Sequence, residues 1–399
     1  MLRSFVAVLL LAAPLFAQAK PFGPLVERFN RFVADGDTAG AVVAVGTKDG
    51  VKFLHAVGVR DVTGGEKMTD DTLFRIASMT KPITALGVMI LQDEGKLSVD
   101  DPVEKHLPEF KGQMLVTAAD KEKEKGTVTL GKSPRAIRLR DLLTHTSGLA
   151  AYPGGMADVY TKRHYTLGET TAAVSQLPLQ FEPGTKWAYS NSGIDVLGRV
   201  IEVTSGQSYE KFLQAKVFEP LGLKDTTFYP TAEQAKRIAT LHDKRNGKAV
   251  AASGTGFKMD FDGTARKHPI PAGGLYSTAA DLGKLYTAML HKGELNGKRV
   301  VSEKAWAEMT KTQTGDIKTG FVDGMSFGYG WAVVREPKGA TEVLSAGTFG
   351  HGGAYGTQGW IDPTKGVFFI LLIQRTGLAN GDASEIRTEL QKLGLDGLK

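Results

Sequence analysis

The sequence predicts an α+β fold: an antiparallel β-sheet flanked by helices, built from the N- and C-terminal segments together, with a mostly α-helical part inserted between them. Three observations carry this. Strand-like runs occupy the first quarter of the chain and return beyond residue 320. The long middle stretch reads mainly as helices broken by Gly and Pro loops. With 399 residues and 42% hydrophobic content, the chain can bury a large core as one composite unit or two intimately joined parts. The α/β part is expected at about 20–77 and 320–399, and the helical part at about 78–319.

The opening MLRSFVAVLLLAAPLFAQAK has Arg3, an apolar run from Phe5 to Phe16, and Ala17-Gln18-Ala19. This is the pattern of a secretory signal cleaved after Ala19. Its apolar run is too short to cross a bilayer comfortably. The mature chain is therefore expected to be periplasmic or secreted, with no stable membrane anchor.

Val26, Phe29, Phe32 and Val33 recur at helical spacing, and AGAVVAVGTKDGVKFLHAVGVRD reads as two strands around the turn pair Asp49-Gly50. From Ser78 to about Gly95 the spacing of Ile83, Leu86, Ile90 and Leu91 is helical. Residues 111–138, with the run Lys121-Glu122-Lys123-Glu124-Lys125, read as an inserted surface loop or hairpin. Helices follow at Ile194 to Val203, Tyr209 to Val217 and Ala279 to Leu290. Beyond Phe327 come YGWAVV, TEVLSAGTF, GTQGWIDP and the buried-looking run Val367 to Ile373, then a tail helix near Ala383 to Leu393.

Composition excludes several function classes. The 49 basic and 43 acidic residues are scattered, with no arginine-rich arm, so nucleic acid is not an expected partner. Cysteine is absent, which removes disulfides, thiolate metal sites and thiol nucleophiles. The eight histidines are dispersed without a metal-binding pair, so neither metal nor cofactor is expected. A nucleophile here is an oxygen or a nitrogen.

Ser78-Met79-Thr80-Lys81 stands at the mouth of a helix. The i, i+3 spacing puts serine oxygen and lysine nitrogen on one face, and the helix start favours a developing alkoxide. A desolvated lysine loses its proton readily and can take one from serine. Ser208-Tyr209-Glu210-Lys211 has the same form but reads as a helix cap with Lys211 on the wet side. Tyr189-Ser190-Asn191 precedes another helix: the tyrosine can act as phenolate base or proton shuttle, and Asn191 can hold the lysine or a substrate amide, or simply cap the helix. Gly350-His351-Gly352-Gly353-Ala354 lies in the strand-rich end, where an edge strand can offer an N–H to complete an oxyanion hole with that of Ser78.

Taken together and in this order, Ser-x-x-Lys, Tyr-x-Asn and the His-Gly-Gly strand resemble the serine β-lactamase and penicillin-binding protein superfamily. The narrower resemblance is to the class C β-lactamase-related branch, which includes family VIII carboxylesterases, D-aminopeptidases and DD-peptidases. FRIASMTKPITA, LLTHTSGL, PGTKWAYSNSGIDVLGRVIE and PAGGLYSTAADL support it. The resemblance implies a β-lactamase/transpeptidase-like fold with the site between its two parts. It implies Ser78 as the acylated nucleophile, Lys81 as the group that activates it and Tyr189 as the proton-transfer partner. Asn191, His351, Gly352, Gly353 and Ala354 would line the substrate site, with the N–H groups of Ser78 and Ala354 as the oxyanion hole. The expected partner is a small-molecule ester, β-lactam or peptide, and a non-catalytic binding module on the same scaffold is the reading from a different class.

Two departures matter. Where β-lactamases of this superfamily usually have Lys-Thr-Gly, this chain has His351-Gly352-Gly353, exchanging a permanent charge for an imidazole that is largely neutral at physiological pH. This favours an exported carboxylesterase acting on small uncharged esters. Pro82, which lacks an N–H, predicts an irregular opening turn after Lys81. Two decoys are set aside: Gly126 to Ser133 fits a phosphate-loop string but is followed by Pro134, and Gly324-Met325-Ser326-Phe327-Gly328 fits a nucleophile elbow but leads into a strand. His145 is expected to be structural, holding a helix end, and loops around 150–165 and 254–270 are expected to wall the pocket.

Overall fold

The computed structural model describes residues 21–119, 128–156, 158–252, 267–320 and 322–399. The expected cleavage site, the Lys121 to Lys125 run and most of the 254–270 loop lie outside the described residues.

Strands β1 (Gly40–Thr47) and β2 (Gly50–Gly58) make the N-terminal hairpin, with Thr47 opposite Gly50. Gly50 has φ +100°, a conformation L side chains rarely adopt, so the reversal depends on a glycine there. The C-terminal segment supplies β3 (Met325–Phe327), β4 (Ala332–Val334), β5 (Phe349–Gly352), β6 (Gln358–Asp362) and β7 (Val367–Leu372). All seven strands form one antiparallel sheet in the order β3-β4-β5-β6-β7-β1-β2. β1 pairs with β7 from Val42 opposite Leu372 to Thr47 opposite Val367, so the two ends of the chain share one sheet.

Among the described residues the five longest helices are α1 (Gly23–Ala34), α2 (Lys81–Asp93), α3 (Asn191–Ser205), α4 (Ala279–Leu290) and α5 (Glu385–Gly397). β1 and β7 read as unbroken apolar runs because both faces are covered. Ala41, Val43, Val45, Phe369 and Leu371 pack with Leu25, Phe29 and Phe32 of α1 and Ile386 and Leu390 of α5. Val42, Ala44, Phe368, Ile370 and Leu372 face Leu282, Leu285 and Met289 of α4. The buried stripe of α1 runs Leu25, Phe29, Phe32, one residue off the predicted start, with Val26 and Val33 half-buried at its edges.

α4 packs against β1, β2 and β7. The middle stretch therefore contributes a sheet-covering helix as well as the helical part around α2 and α3, and 78–319 is not one separate helical body. The same core continues from the sheet through α4 into α2, α3 and the helix Tyr209–Leu213. α2 is buried on every side from Lys81 to Leu91, the pattern of a helix enclosed by its neighbours. The 111–138 excursion is a hairpin of Met114–Ala119 with Val128–Lys132.

Candidate active site

The chain enters α2 through a 3₁₀ turn, Ala77–Thr80, which carries Ser78. Pro82 falls in the first turn of α2, where its missing N–H would have no partner within the helix in any case. Just before the serine, Ala77 has φ +46°, a conformation of non-glycine residues that stores strain and concentrates at functional sites. Ser78 itself remains partly exposed while Ala77, Met79 and Thr80 are buried.

Lys81 Nζ lies 3.0 Å from Ser78 Oγ and donates to the Ala272 carbonyl at 2.7 Å. The side chain is fully buried, and it sits over the Tyr189 ring, 4.6 Å from its centroid. Burial drives the amine from its ordinary value down to about 7, with the charge of Asp195 acting in the opposite direction. An amine that is substantially unprotonated near neutrality can donate to Ala272 and turn its lone pair to the serine. The base form grows as pH rises through 7, so kcat/KM for an ester substrate is expected to climb across an acid limb centred near pH 7 and level off above it. A pH–rate profile checks this; a limb near 10 would mean an ordinary lysine.

The Tyr189 hydroxyl is hydrogen-bonded to Ser78, and burial pushes its ionisation well above that of an ordinary phenol. Of the two roles open to it, the neutral phenol fits a proton shuttle and not a phenolate base. His145 fixes the segment that presents it. With φ +61° and buried, His145 accepts the Ser190 N–H at Nδ1 (3.2 Å) and packs its ring 4.5 Å from that of Tyr189. Ser190 is the N-cap of α3, its Oγ accepting from the Gly193 N–H at 3.0 Å. His145, expected to hold a helix end, thus anchors the start of α3 and sets the tyrosine's place as well.

Asn191 neither caps its helix nor holds the lysine, which leaves the expected part in lining the substrate site. It is the first residue of α3 with an exposed side chain, Ser190 takes the cap, and the hydrogen bonds of Lys81 go to Ser78 and Ala272. β5 departs from the expected edge strand: it is an interior strand between β4 and β6, but its pairing with β4 ends at Gly350, leaving His351 and Gly352 unpaired on that side.

His351 is buried with its ring 6.1 Å from Tyr189. Nδ1 lies 2.6 Å from the Gly352 carbonyl and so carries the proton, which leaves Nε2 a bare acceptor. Burial and the nearby Lys81 depress its protonation to about 3, so the ring stays neutral across the working range. After Gly352 the chain closes a tight turn, with the Gly353 N–H donating to the Thr357 carbonyl at 2.7 Å, and Ala354 exposed at its tip. A Cβ on Gly353 would stand 2.6 Å from the Ile76 carbonyl oxygen, and Thr357 Oγ1 donates to that same oxygen at 3.2 Å. Gly353 therefore lets the strand end press against the turn that carries Ser78.

Sequence reasoning missed two groups around the lysine: the Ala272 carbonyl, which accepts its hydrogen bond, and Asp195, whose charge acts on it. Pro271 to Leu275 wraps the start of α2: Thr84 Oγ1 donates to the Pro271 carbonyl (2.7 Å), and the Leu275 N–H donates to Thr80 Oγ1 (3.2 Å). A backbone carbonyl has no side-chain signature. Asp195 has one, since it interrupts the apolar run Ile194 to Leu197.

The decoys resolve structurally. Ser326 is buried on β3 with Oγ 2.9 Å from Thr314 Oγ1. In the phosphate-loop string, Val128 to Lys132 is a hairpin strand, while Gly126 and Thr127 lie outside the described residues. Ser208 occupies an N-cap position but donates its hydroxyl to Glu210 at 2.6 Å, and Lys211 is exposed.

An accessible serine with a buried lysine and phenol beside it, between a sheet end and a helical part, is the apparatus of a serine hydrolase. The sequence profile of the family described as Beta-lactamase matches residues 25–393, and the chain belongs to that family. Esterase EstB of Burkholderia gladioli is 32% identical over 367 residues, covering 86% of this chain and 88% of its own length. Lovastatin esterase of Penicillium rubens is 30% identical over 275 residues, 66% of this chain and 67% of its own. The solved structure of EstCE1, a hydrolase with promiscuous acyltransferase activity, superposes with a TM-score of 0.75 at 23% identity, covering 96% of this chain and 99% of that one. That likeness shows the shared fold.

Proposed function

We propose that this serine hydrolase is an exported carboxylesterase that cleaves small uncharged esters through an acyl-enzyme on Ser78. The observation that carries the proposal is the buried Lys81 amine, depressed to about 7 and 3.0 Å from Ser78 Oγ. Lys81 takes the serine proton as Oγ attacks the ester carbonyl carbon. The tetrahedral oxyanion is received by the N–H groups of Ser78 and Ala354. Collapse breaks the ester C–O bond, and the leaving alkoxide takes a proton passed from Lys81 through Tyr189. Water then attacks the acyl-enzyme with the same groups running in reverse.

The neutral His351 favours esters over β-lactams. It occupies the position where β-lactamases of this superfamily carry lysine, and a buried ring depressed to about 3 offers no charge to a substrate carboxylate. The similarity to two esterases supports the same substrate class, and the leader read in residues 1–19 supports export. The test pairs a p-nitrophenyl ester with a chromogenic cephalosporin on one preparation, with a fluorophosphonate label located by peptide mass. Ester turnover well above cephalosporin turnover, with the label on Ser78, is expected. Dominant cephalosporin turnover, or a label on Ser326, overturns the reading.

A further inference from the structure

Behind the proton-transfer pair stands a carboxylate that the reaction above does not use. Asp195, on α3, is fully buried. Its Oδ2 accepts from the hydroxyls of Tyr152 and Tyr160, each at 2.7 Å, and its Oδ1 accepts from the Ala272 N–H at 2.9 Å. The carbonyl of that same Ala272 takes the 2.7 Å hydrogen bond from Lys81. The series of contacts thus runs from two phenols through a carboxylate, one peptide unit on each side of Ala272 and the amine to Ser78 Oγ. Placing a carboxylate in a dry interior is expensive even with three neutral donors. A hydrophobic residue would fill the space more cheaply, so the acid is there for something other than packing.

We infer that Asp195 is a positioning residue for the lysine: its carboxylate locks the Ala272 segment, whose carbonyl holds the Lys81 amine against Ser78. The inference rests on the Ser78–Lys81 reading above. A one-ångström drift of the amine would break the 3.0 Å contact on which proton transfer depends. The charge of Asp195 has a second consequence, since it opposes the burial that depresses Lys81 and so keeps the amine from falling below about 7. Among the described residues, the other titratable groups facing the amine are Tyr189, His145 and His351, and those facing the carboxylate are Tyr152, Tyr160, Tyr209 and His268. Burial holds these imidazoles below and these phenols above their ordinary values, so all are neutral near pH 7. Asp382 reaches Tyr189 from beyond, and Arg163 adjoins His268 through its carbonyl. Among the described residues, Asp195 is therefore the anion that acts directly on the amine.

The experiment compares wild type, Asp195→Asn and Tyr152→Phe by two readouts. One is the pH dependence of kcat and KM for p-nitrophenyl acetate; the other is titration of Lys81 followed by isotope-edited NMR of its Nζ. Asp195→Asn removes the charge and replaces one acceptor oxygen by an NH2 that opposes the hydrogen-bond donors around it, which loosens the lock on Ala272. The Lys81 midpoint and the acid limb are expected to move down by about one pH unit. Plateau kcat is expected to fall about tenfold with KM little changed. Tyr152→Phe removes a donor and leaves the carboxylate charge less satisfied, so the midpoint moves up. Opposite displacements are not what loss of a merely structural residue produces.

An unmoved midpoint in Asp195→Asn overturns the inference, as does displacement of both variants in one direction. If Asp195→Asn does not fold, Tyr152→Phe decides alone, and a midpoint that fails to rise overturns it. If wild type cleaves no ester yet the NMR midpoints move as stated, the positioning role stands and the esterase reading falls. If the enzyme is active and the midpoints stay fixed, the reverse holds.

Discussion

Ser78→Ala and Lys81→Met are each expected to lower kcat for ester hydrolysis by about 10⁴-fold or more, and the double variant is expected to be no slower than either single one. Nucleophile and base act in one step, so removing either removes the step, and what remains is the stabilisation of an oxyanion formed by attacking water. Methionine suits the test because it fills the buried channel of the lysine without an ionisable group. Its cost to folding is small on balance. It strands the Ala272 carbonyl, worth about 1–3 kcal/mol, but also relieves the burial that now depresses the amine to about 7. Steady-state kinetics with a thermal melt as folding control gives the answer. A Lys81→Met enzyme within tenfold of wild type would show that Tyr189 or solvent is the base, and multiplicative losses in the double variant would show that the pair does not act as a unit.

The parts of the fold legible in the sequence are those where the local pattern already reports the burial. Val367 to Ile373 is apolar without interruption because both faces of β7 are covered, and that periodicity survives in one sequence. The place of α4 was not legible. A helix covering the sheet and a helix buried among helices present the same spacing of apolar residues, and only the long-range partners of Leu282 and Leu285 tell them apart. At the site, Ser78, Lys81, Tyr189 and His351 announce themselves because their chemistry resides in side chains at short, recognisable spacings. Ala272 contributes a main-chain carbonyl, which any residue could supply, and Asp195 acts through a hydrogen bond to a residue 77 positions away. Asn191 shows the same limit from the other side: its spacing from Tyr189 leaves open whether it caps the helix or lines the site, and only the turn into α3, which gives the cap to Ser190, removes the first of these roles.

Gly353→Val is the second substitution expected to act strongly, and it does so without touching an ionisable group. A Cβ at this position would stand 2.1 Å from Thr357 Oγ1 and 2.6 Å from the Ile76 carbonyl oxygen, closer than real Cβ atoms come. Thr357 can rotate away, but the Ile76 carbonyl cannot. It accepts the Met79 N–H at 3.1 Å and is part of the turn that sets Ser78. The strand end must therefore retreat from the serine, carrying the Ala354 N–H with it. Loss of one correctly placed oxyanion donor costs about 10²- to 10³-fold in kcat in enzymes of this chemistry, whereas overpacking of this kind costs about 1–3 kcal/mol of stability. A folded protein with kcat reduced about 100-fold and KM nearly unchanged is the expected result. Gly23→Ala, whose added methyl meets nothing within 4 Å, serves as the neutral control. Phosphonate labelling of Ser78 separates the possible causes: slowed labelling with an unshifted acid limb places the damage in the oxyanion hole, because Lys81 still titrates near 7. Full activity in Gly353→Val would instead mean that the end of β5 can move freely relative to the Ser78 turn, and that the amide of Ala354 is no part of the machinery.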